Sequence, residues 1–343
     1  MPLHYHFIGL DVHKKTIAFC EMRADGEMVA SGTFKTTRTA IAQWAAQRTQ
    51  PWIGAMEATL FSGYLYDMLT PHAVEIQVGH PARIKAISTA KHKNDAADAE
   101  TLANLLRADL FPECHMASTR VRELRRVLRY RNFLVRQAVC MKNKTTGILM
   151  ETGVEYDSKK IHRQRYFNEL LDNLEDVPKS VRELLSMTRS NLEIFQAAQK
   201  KLTDALIKLP ELRERVERLM TINGVGEITA LTWALEVDDP RRFANVKQAQ
   251  SYCGLCSGQN ESAGKSKNGP LSKQRNGNLQ TVLIEAAKLA PRWNTQLKEV
   301  HTRAMEQEKN YNRATCAVAR KLVAYLMAVD KSGEPYEDRS SEE

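Results

Sequence analysis

Several things this chain lacks narrow what it can be. Nowhere in its 343 residues is there an apolar run of about 18, so no membrane-spanning helix is expected. The opening Met1-Pro2-Leu3-His4-Tyr5-His6 has neither the cationic start nor the long apolar stretch of a secretory signal, which predicts a cytoplasmic protein. The six cysteines are scattered at positions 20, 114, 140, 253, 256 and 316, as suits a reducing compartment. Cys253-x-x-Cys256 has no second pair to complete a tetrahedral zinc site and reads as two small residues packed near a turn. Glycine-rich adenosine loops are also missing. Ile8-Gly9-Leu10-Asp11 is therefore a poor match to the first phosphate-binding strand of an actin-like ATPase or sugar kinase.

Anions are scarce in one place. From Glu113 to Met150 there are nine cations (Arg120, Arg122, Arg125, Arg126, Arg129, Arg131, Arg136, Lys142, Lys144) against Glu113 and Glu123 alone. Leu124, Val127, Leu128, Leu134 and Val135 thread between them at helical spacing. A solvated helix face usually mixes signs, so this stretch reads as a phosphate-binding ridge, in line with a formal charge of +9. Arg120, Arg125, Arg129 and Lys144 are its candidate backbone contacts.

Acids gather elsewhere in an ordered way. Asp11 ends the apolar run Phe7-Ile8-Gly9-Leu10, and Glu57 ends Trp52-Ile53-Gly54-Ala55-Met56. Asp95 and Asp98 stand three apart at the start of a helical pattern and share a face with Leu102 and Leu105. Singly, each acid can close a strand, cap a helix or favour its dipole. Together, two acids at strand ends and two on one helical turn can hold a pair of Mg²⁺ ions, which stabilise both oxygens of a phosphodiester displacement when roughly 3.5–4 Å apart. Burying such carboxylates side by side is costly without a cation.

The pattern of elements predicts α/β followed by α. Strands are expected at Phe7–Leu10, Thr16–Met22 and Met28–Phe34, the last after an Asp25-Gly26 turn. A helix at Ile41–Gln47, a strand at Trp52–Met56, a helix at Gly63–Leu69, a strand at Val74–Val78 and a helix at Asp95–Ala108 follow. That is the order of a ribonuclease-H-like mixed sheet. Residues 113–212 read as a helical basic region. There Val181, Leu185, Leu192, Phe195, Leu202, Leu206 and Leu209 form either a bundle core or a coiled-coil arm that packs on another protomer, with Tyr156–Lys160 at its tip. Residues 213–332 form a third, mostly helical region that opens on helix, Gly224-Val225-Gly226 turn, helix. The amides after Gly224 and Gly226 can face a phosphate. Ser257 to Asn278 reads as a long polar loop, and 333–343 as an acidic, frayed tail.

With these residues in view, the chain resembles the DEDD-type transposases of bacterial insertion sequences, the family of insertion sequences 110 and 1111. Gly9-x-Asp11, Glu57-Ala58-Thr59 and Lys93-x-Asp95-x-x-Asp98-Ala99 match its RuvC-like metal domain, 1–112 here. Gly224-Val225-Gly226, Phe243, Tyr252-x-Gly254-Leu255, Glu261-Ser262 and Ser272-Lys273 match its C-terminal transposase domain. The resemblance implies a site-specific DNA recombinase whose nucleophile falls on Ser262, with Lys265, Lys267 and Lys273 supplying charge. It also implies Mg²⁺ on Asp11, Glu57, Asp95 and Asp98, and a dimer or tetramer in which one protomer's serine meets another's carboxylates. An element-encoded guide RNA that pairs with donor and target DNA is implied too. Two departures stand out: Ala263 follows the serine where glycine is common, and Lys273-Gln274-Arg275-Asn276-Gly277 replaces a shorter Lys-x-Gly spacing. Ser257, Ser266 and Ser272 are rival nucleophiles on local residues alone. Two other readings are a RuvC-like junction nuclease that uses activated water, and a nucleic-acid chaperone with a degenerate metal domain.

Overall fold

A computed structural model describes residues 5–87, 94–174, 177–262 and 265–337, leaving aside the side chains of 259–268 and 308. The chain folds as two compact units, Met1–Arg122 and Glu123–Glu343.

The first unit is a five-stranded mixed sheet. Its elements are β1 (His6–Val12), β2 (Thr16–Met22), β3 (Met28–Lys35), α1 (Arg38–Ala46), β4 (Trp52–Glu57), α2 (Ser62–Leu69), β5 (Glu75–Gly79), α3 (Pro81–Ile87) and α4 (Asp95–Arg107). The strand order is β3-β2-β1-β4-β5. β1, β2 and β3 are antiparallel neighbours, whereas β4 and β5 run parallel to β1. β1 is central, which is why its sequence is an unbroken apolar run. Alternate residues feed opposite faces. Ile8, Leu10 and Val12 join Ile41 and Trp44 of α1 and Leu65 and Leu69 of α2 in one core. On the other face Phe7, Ile53 and Ala55 pack on Leu106 of α4, while Ala18, Cys20 and Met22 meet Ala99 and Ala103.

Gly9 controls how closely α4 can approach. A Cβ placed there would lie 2.0 Å from the Ala99 carbonyl oxygen and 2.6 Å from the Ala103 nitrogen. Only hydrogen lets the helix sit on the strand. Among the described residues, sequence reading found every strand of this sheet and missed one α-helix, α3, a short helix that opens on proline.

Among its described residues, the second unit is helical apart from one hairpin. It contains α5 (Thr119–Glu151) from Glu123 onward, α6 (Gln164–Asp172), α7 (Lys179–Ile207), α8 (Pro210–Met220), α9 (Glu227–Val237), α10 (Val246–Tyr252), β6 (Ser257–Ser262), β7 (Lys265–Leu271), α11 (Gly277–Leu289), α12 (Thr295–Glu308) and α13 (Tyr311–Ser332). α5 and α7 run antiparallel: the Thr145 and Thr188 hydroxyls are 3.0 Å apart, and Arg131 Nε donates to Thr203 Oγ1 at 3.2 Å. Ile148, Leu149, Ile161, Phe167, Leu174 and Leu185 close the far end of this arm with α6. Leu206, Leu219, Trp233, Leu283, Val318 and Leu322 belong to the larger core.

The stretch read from sequence as a long polar loop is instead the β6–β7 hairpin. Ser257-Gly258-Gln259-Asn260-Glu261-Ser262 carries no apolar alternation, and it pairs through the backbone ladder, which leaves no side-chain signature. A further helix, α12, was also missed; it starts at an Asn294 cap whose side chain accepts from Leu297 N at 2.9 Å.

Replacing Gly9 by Val should push α4 off the sheet and lower stability by about 3 kcal/mol. A urea midpoint equal to wild type would show that the helix can retreat at no cost.

Candidate metal centre

Asp11 is the penultimate residue of β1. Leu10 pairs with Met56 across the parallel β1–β4 ladder, so one residue further on Asp11 and Glu57 stand level at the carboxyl ends of adjacent strands. They share the face of Gly9 and Ala55, the one α4 covers. The first turn of α4 brings Asp95 and Asp98 to this end. Asn94 caps that helix, accepting from Ala97 N at 2.7 Å, which leaves Asp95 in the first turn rather than as the cap. Lys93 of the sequence motif lies outside the described residues.

A residue that sequence reading passed over joins them. His13 Nε2 lies 3.0 Å from Asp11 Oδ2 and 3.4 Å from Asp95 Oδ1. One ligand atom from each of Asp11, His13 and Asp95 falls within 4.8 Å of the others. Asp98 is half-buried and close enough for its charge to act on Asp11. Glu57 ends β4, and its carbonyl accepts from Ser62 Oγ at 3.1 Å. Its carboxylate is not one of the three clustered groups. The available signal for His13 was its place two residues after the strand-end acid.

The electrostatics favour a cation. Burial is the largest influence on Asp11 and pushes its carboxyl above the ordinary 3.8; the His13 charge and hydrogen bond oppose this, while Asp98 and Asp95 add to the rise. Carboxylate oxygens with one imidazole suit a divalent ion, which would neutralise the crowded acids.

In the second unit, Ser262 is the last residue of β6, and its backbone stands opposite Lys265, the first residue of β7. Ala263 lies outside the described residues. Lys267 pairs with Asn260, and exposed Lys273 follows β7. Gly224 has φ +98°, and a Cβ there would stand 2.4 Å from Ala290 Cβ, so its left-handed turn and its close packing both require glycine. Gly226 precedes the first turn of α9 as its N-cap. Cys253 is fully buried, and burial pushes its thiol up to about 12.

The cationic helix α5 divides its arginines. Arg120 and Lys144 are exposed. Arg125 Nε donates to the Leu235 carbonyl at 2.9 Å, and Arg129 grips the Glu236 carboxylate with two hydrogen bonds of 2.8 Å. Glu236 is completely buried; it also accepts from Asn276 at 2.8 Å and Asn278 at 3.0 Å, and the Tyr252 hydroxyl donates to its carbonyl at 3.0 Å. Tyr252 precedes β6 and Asn276 follows β7, so this cluster holds both feet of the hairpin. Burial raises the Glu236 carboxyl, but the Arg129 hydrogen bond and charge, with Asn276 and Arg125, outweigh it and hold the group below its ordinary value.

Comparison with known proteins decides the family. A model of the DEDD transposases of IS110 matches residues 8–154, and a model described as Transposase IS116/IS110/IS902 family matches 216–302. The chain belongs to the IS110/IS116 family of transposases. The transposase for insertion sequence element IS1111A of Coxiella burnetii is 23% identical over 338 residues, covering 96% of this chain and 90% of its own. That for IS1328 of Yersinia enterocolitica is 23% identical over 345 residues, covering 95% and 97%. That for IS1533 of Leptospira borgpetersenii is 25% identical over 265 residues, covering 73% and 75%. Transposases cleave and rejoin DNA, so this one is an enzyme with DNA as its partner, and the DEDD family implies a divalent metal. Among the described residues no helix is long and apolar enough to cross a membrane.

Two outcomes are expected. With Asp11 raised above 3.8, the folded state holds its proton more tightly than the unfolded chain, so this acid costs stability as pH rises through that window. At neutral pH without metal, Asp11→Asn should therefore melt about 2 °C higher than wild type, and Mg²⁺ or Mn²⁺ should raise the wild-type midpoint more than the variant's. A variant that melts lower in metal-free buffer would contradict the strain assigned to Asp11. Glu236 is the opposite case: its value is depressed below 4.5, so its contribution is complete above that pH and lost as pH falls through the lower folded value. Glu236→Ala should cost about 3 kcal/mol, by leaving the Asn276 and Asn278 amides and the buried Arg125 charge without their carboxylate, and chemical denaturation at pH 7 measures it.

Proposed function

We propose that this transposase cuts and rejoins DNA through the Ser262 hydroxyl, assisted by a pair of Mg²⁺ ions on Asp11, Glu57, Asp95 and Asp98. The observation that carries the metal half is the convergence of Asp11 and Asp95 on His13 at the carboxyl end of β1, inside the stretch that matches the DEDD family. The serine half rests on the family resemblance and on the placing of Ser262 within the second matched segment.

In the chemical step Ser262 Oγ loses its proton and bonds to the scissile phosphorus. The phosphorus–oxygen bond to the departing sugar breaks, and that sugar oxygen takes up a proton. The phosphoserine link keeps the ester for rejoining, when the sugar hydroxyl of the new partner displaces the serine. When bound, divalent ions stabilise charge on the attacking and leaving oxygens. Lys265, Lys267 and Lys273 would supply positive charge to the phosphorane. Arg120 and Lys144, exposed on α5, contact the DNA backbone, as do the amides at Gly224 and Gly226. Arg125 and Arg129, bound to α9 in this structure, add positive potential and hold the hairpin's feet.

Ser262 and the carboxylates belong to separate units, in keeping with a serine and acids supplied by different protomers. Leu184, Met187 and Ile194 form an exposed apolar stripe on α7, beyond the one used inside the arm, which suits packing against another copy in a dimer or tetramer. In this reading 1–112 is the RuvC-like metal domain, 113–212 the basic arm and 213–332 the serine-bearing transposase domain. An element-encoded RNA selects donor and target in the cytoplasm at the nucleoid, and the protein itself shows little base selectivity. The rival reading, a junction nuclease using water, needs only the first unit's acids.

An SDS gel of protein, labelled element-junction DNA and element transcript in Mg²⁺ separates the two. Wild type should give an SDS-resistant, protease-sensitive adduct that Ser262→Ala and Asp98→Asn both lose. Normal cutting by Ser262→Ala without an adduct would establish the nuclease instead.

A further inference from the structure

We infer that His13 is a nitrogen ligand to one ion of the carboxylate site, so that this position, filled by Mg²⁺ in the proposed reaction, binds Mn²⁺ more tightly than an all-oxygen site would. The inference rests on the metal reading above and adds a ligand to the four acids. His13 follows β1, and its place is set by two backbone bonds. Its N–H donates to the Thr16 carbonyl at 2.9 Å, and its carbonyl accepts from Thr36 Oγ1 at 2.8 Å. The imidazole is thus carried on a braced turn between β1 and β2 rather than on a free loop, and it stands between acids that come from a strand and a helix.

The two separations from His13 match those between neighbouring ligands of a coordination shell. An octahedral ion with bonds of about 2.1 Å has neighbouring ligand atoms about 3.0 Å apart, and a tetrahedral ion with bonds of about 2.0 Å has them about 3.3 Å apart. His13 Nε2 lies 3.0 Å from Asp11 Oδ2 and 3.4 Å from Asp95 Oδ1. The first distance also makes a good hydrogen bond, whereas the second is long for one. An ion among the three atoms would reach all of them with small side-chain rotations. Oxygen-only sites suit Mg²⁺, which gives up its water reluctantly, while imidazole suits borderline transition ions. One nitrogen among carboxylates therefore strengthens Mn²⁺ binding at this position more than Mg²⁺ binding.

The test uses the full-length protein and Mn²⁺ alone, read by pulsed electron paramagnetic resonance and by equilibrium binding with Mg²⁺ as competitor. Wild type should show modulation from directly coordinated ¹⁴N. His13→Ala should lose that modulation and weaken Mn²⁺ binding about tenfold or more, with Mg²⁺ affinity unchanged. His13→Asp should bind Mn²⁺ without nitrogen coupling, which guards against a loss caused by misfolding. If His13→Ala binds Mn²⁺ like wild type while Asp11→Asn does not, His13 is no ligand and the acids alone form the site. If wild type binds no Mn²⁺ and no Mg²⁺, both the inference and the metal reading fall.

Discussion

The approach of α4 to β1 across Gly9 is the contact on which the carboxylate site depends. A side chain at this position would collide with the α4 backbone at Ala99 and Ala103, so glycine sets the distance at which the helix lies on the sheet. That distance places the first turn of α4 beside the end of β1 and hence Asp95 and Asp98 beside Asp11. Packing there works against electrostatics: apolar burial of Ala99, Ala103 and Leu106 draws together acids that repel. Apolar contact wins because it is spread along the helix, while the repulsion is confined to one end, where half-exposed groups and the His13 ring relieve it. A divalent cation, as the proposed reading has it, would complete the relief and stabilise this unit.

In the second unit a single buried carboxylate has the comparable role. Glu236 would be costly alone inside the helical core. Arg129, Asn276 and Asn278 satisfy both of its oxygens, and Arg125 lies beside it. These partners come from the cationic helix and from the start of α11, which follows the β6–β7 hairpin, so neutralising Glu236 also fixes the chain where it leaves the hairpin. Basic residues on α5 have two kinds of duty. Those turned inward, such as Arg125, are used by the fold, while others, such as Lys144, are exposed to solvent.

Much of the first unit was legible because its signals are local. Phe7-Ile8-Gly9-Leu10 and Trp52-Ile53-Gly54-Ala55-Met56 are too apolar for anything but buried strands, and a strand ending in an acid stands out against that background. The β6–β7 hairpin was not legible, since its residues are polar on both faces and the backbone ladder that pairs them leaves no trace in side-chain pattern. The inward use of Arg125 and Arg129 was hidden for a related reason. An arginine at helical spacing looks the same in sequence whether its fork meets phosphate or Glu236, which lies more than a hundred residues away. His13 was overlooked because a single histidine beside a strand means little until Asp95 is seen to share it.

By itself, the sequence determined the order of the five strands of the first unit, the strand-end acids, the excess of cations on α5 and the family motifs, all of which depend on residues close together in the chain. The tertiary structure decided which of these groups meet. It joined Asp11 and His13 to Asp95 across more than eighty residues, and it drew Arg129 to Glu236 rather than leaving it to solvent. Charges separated along the chain interact only when packing brings them within a few ångströms, and that packing is set by apolar surfaces and glycine contacts, which the charged residues do not encode.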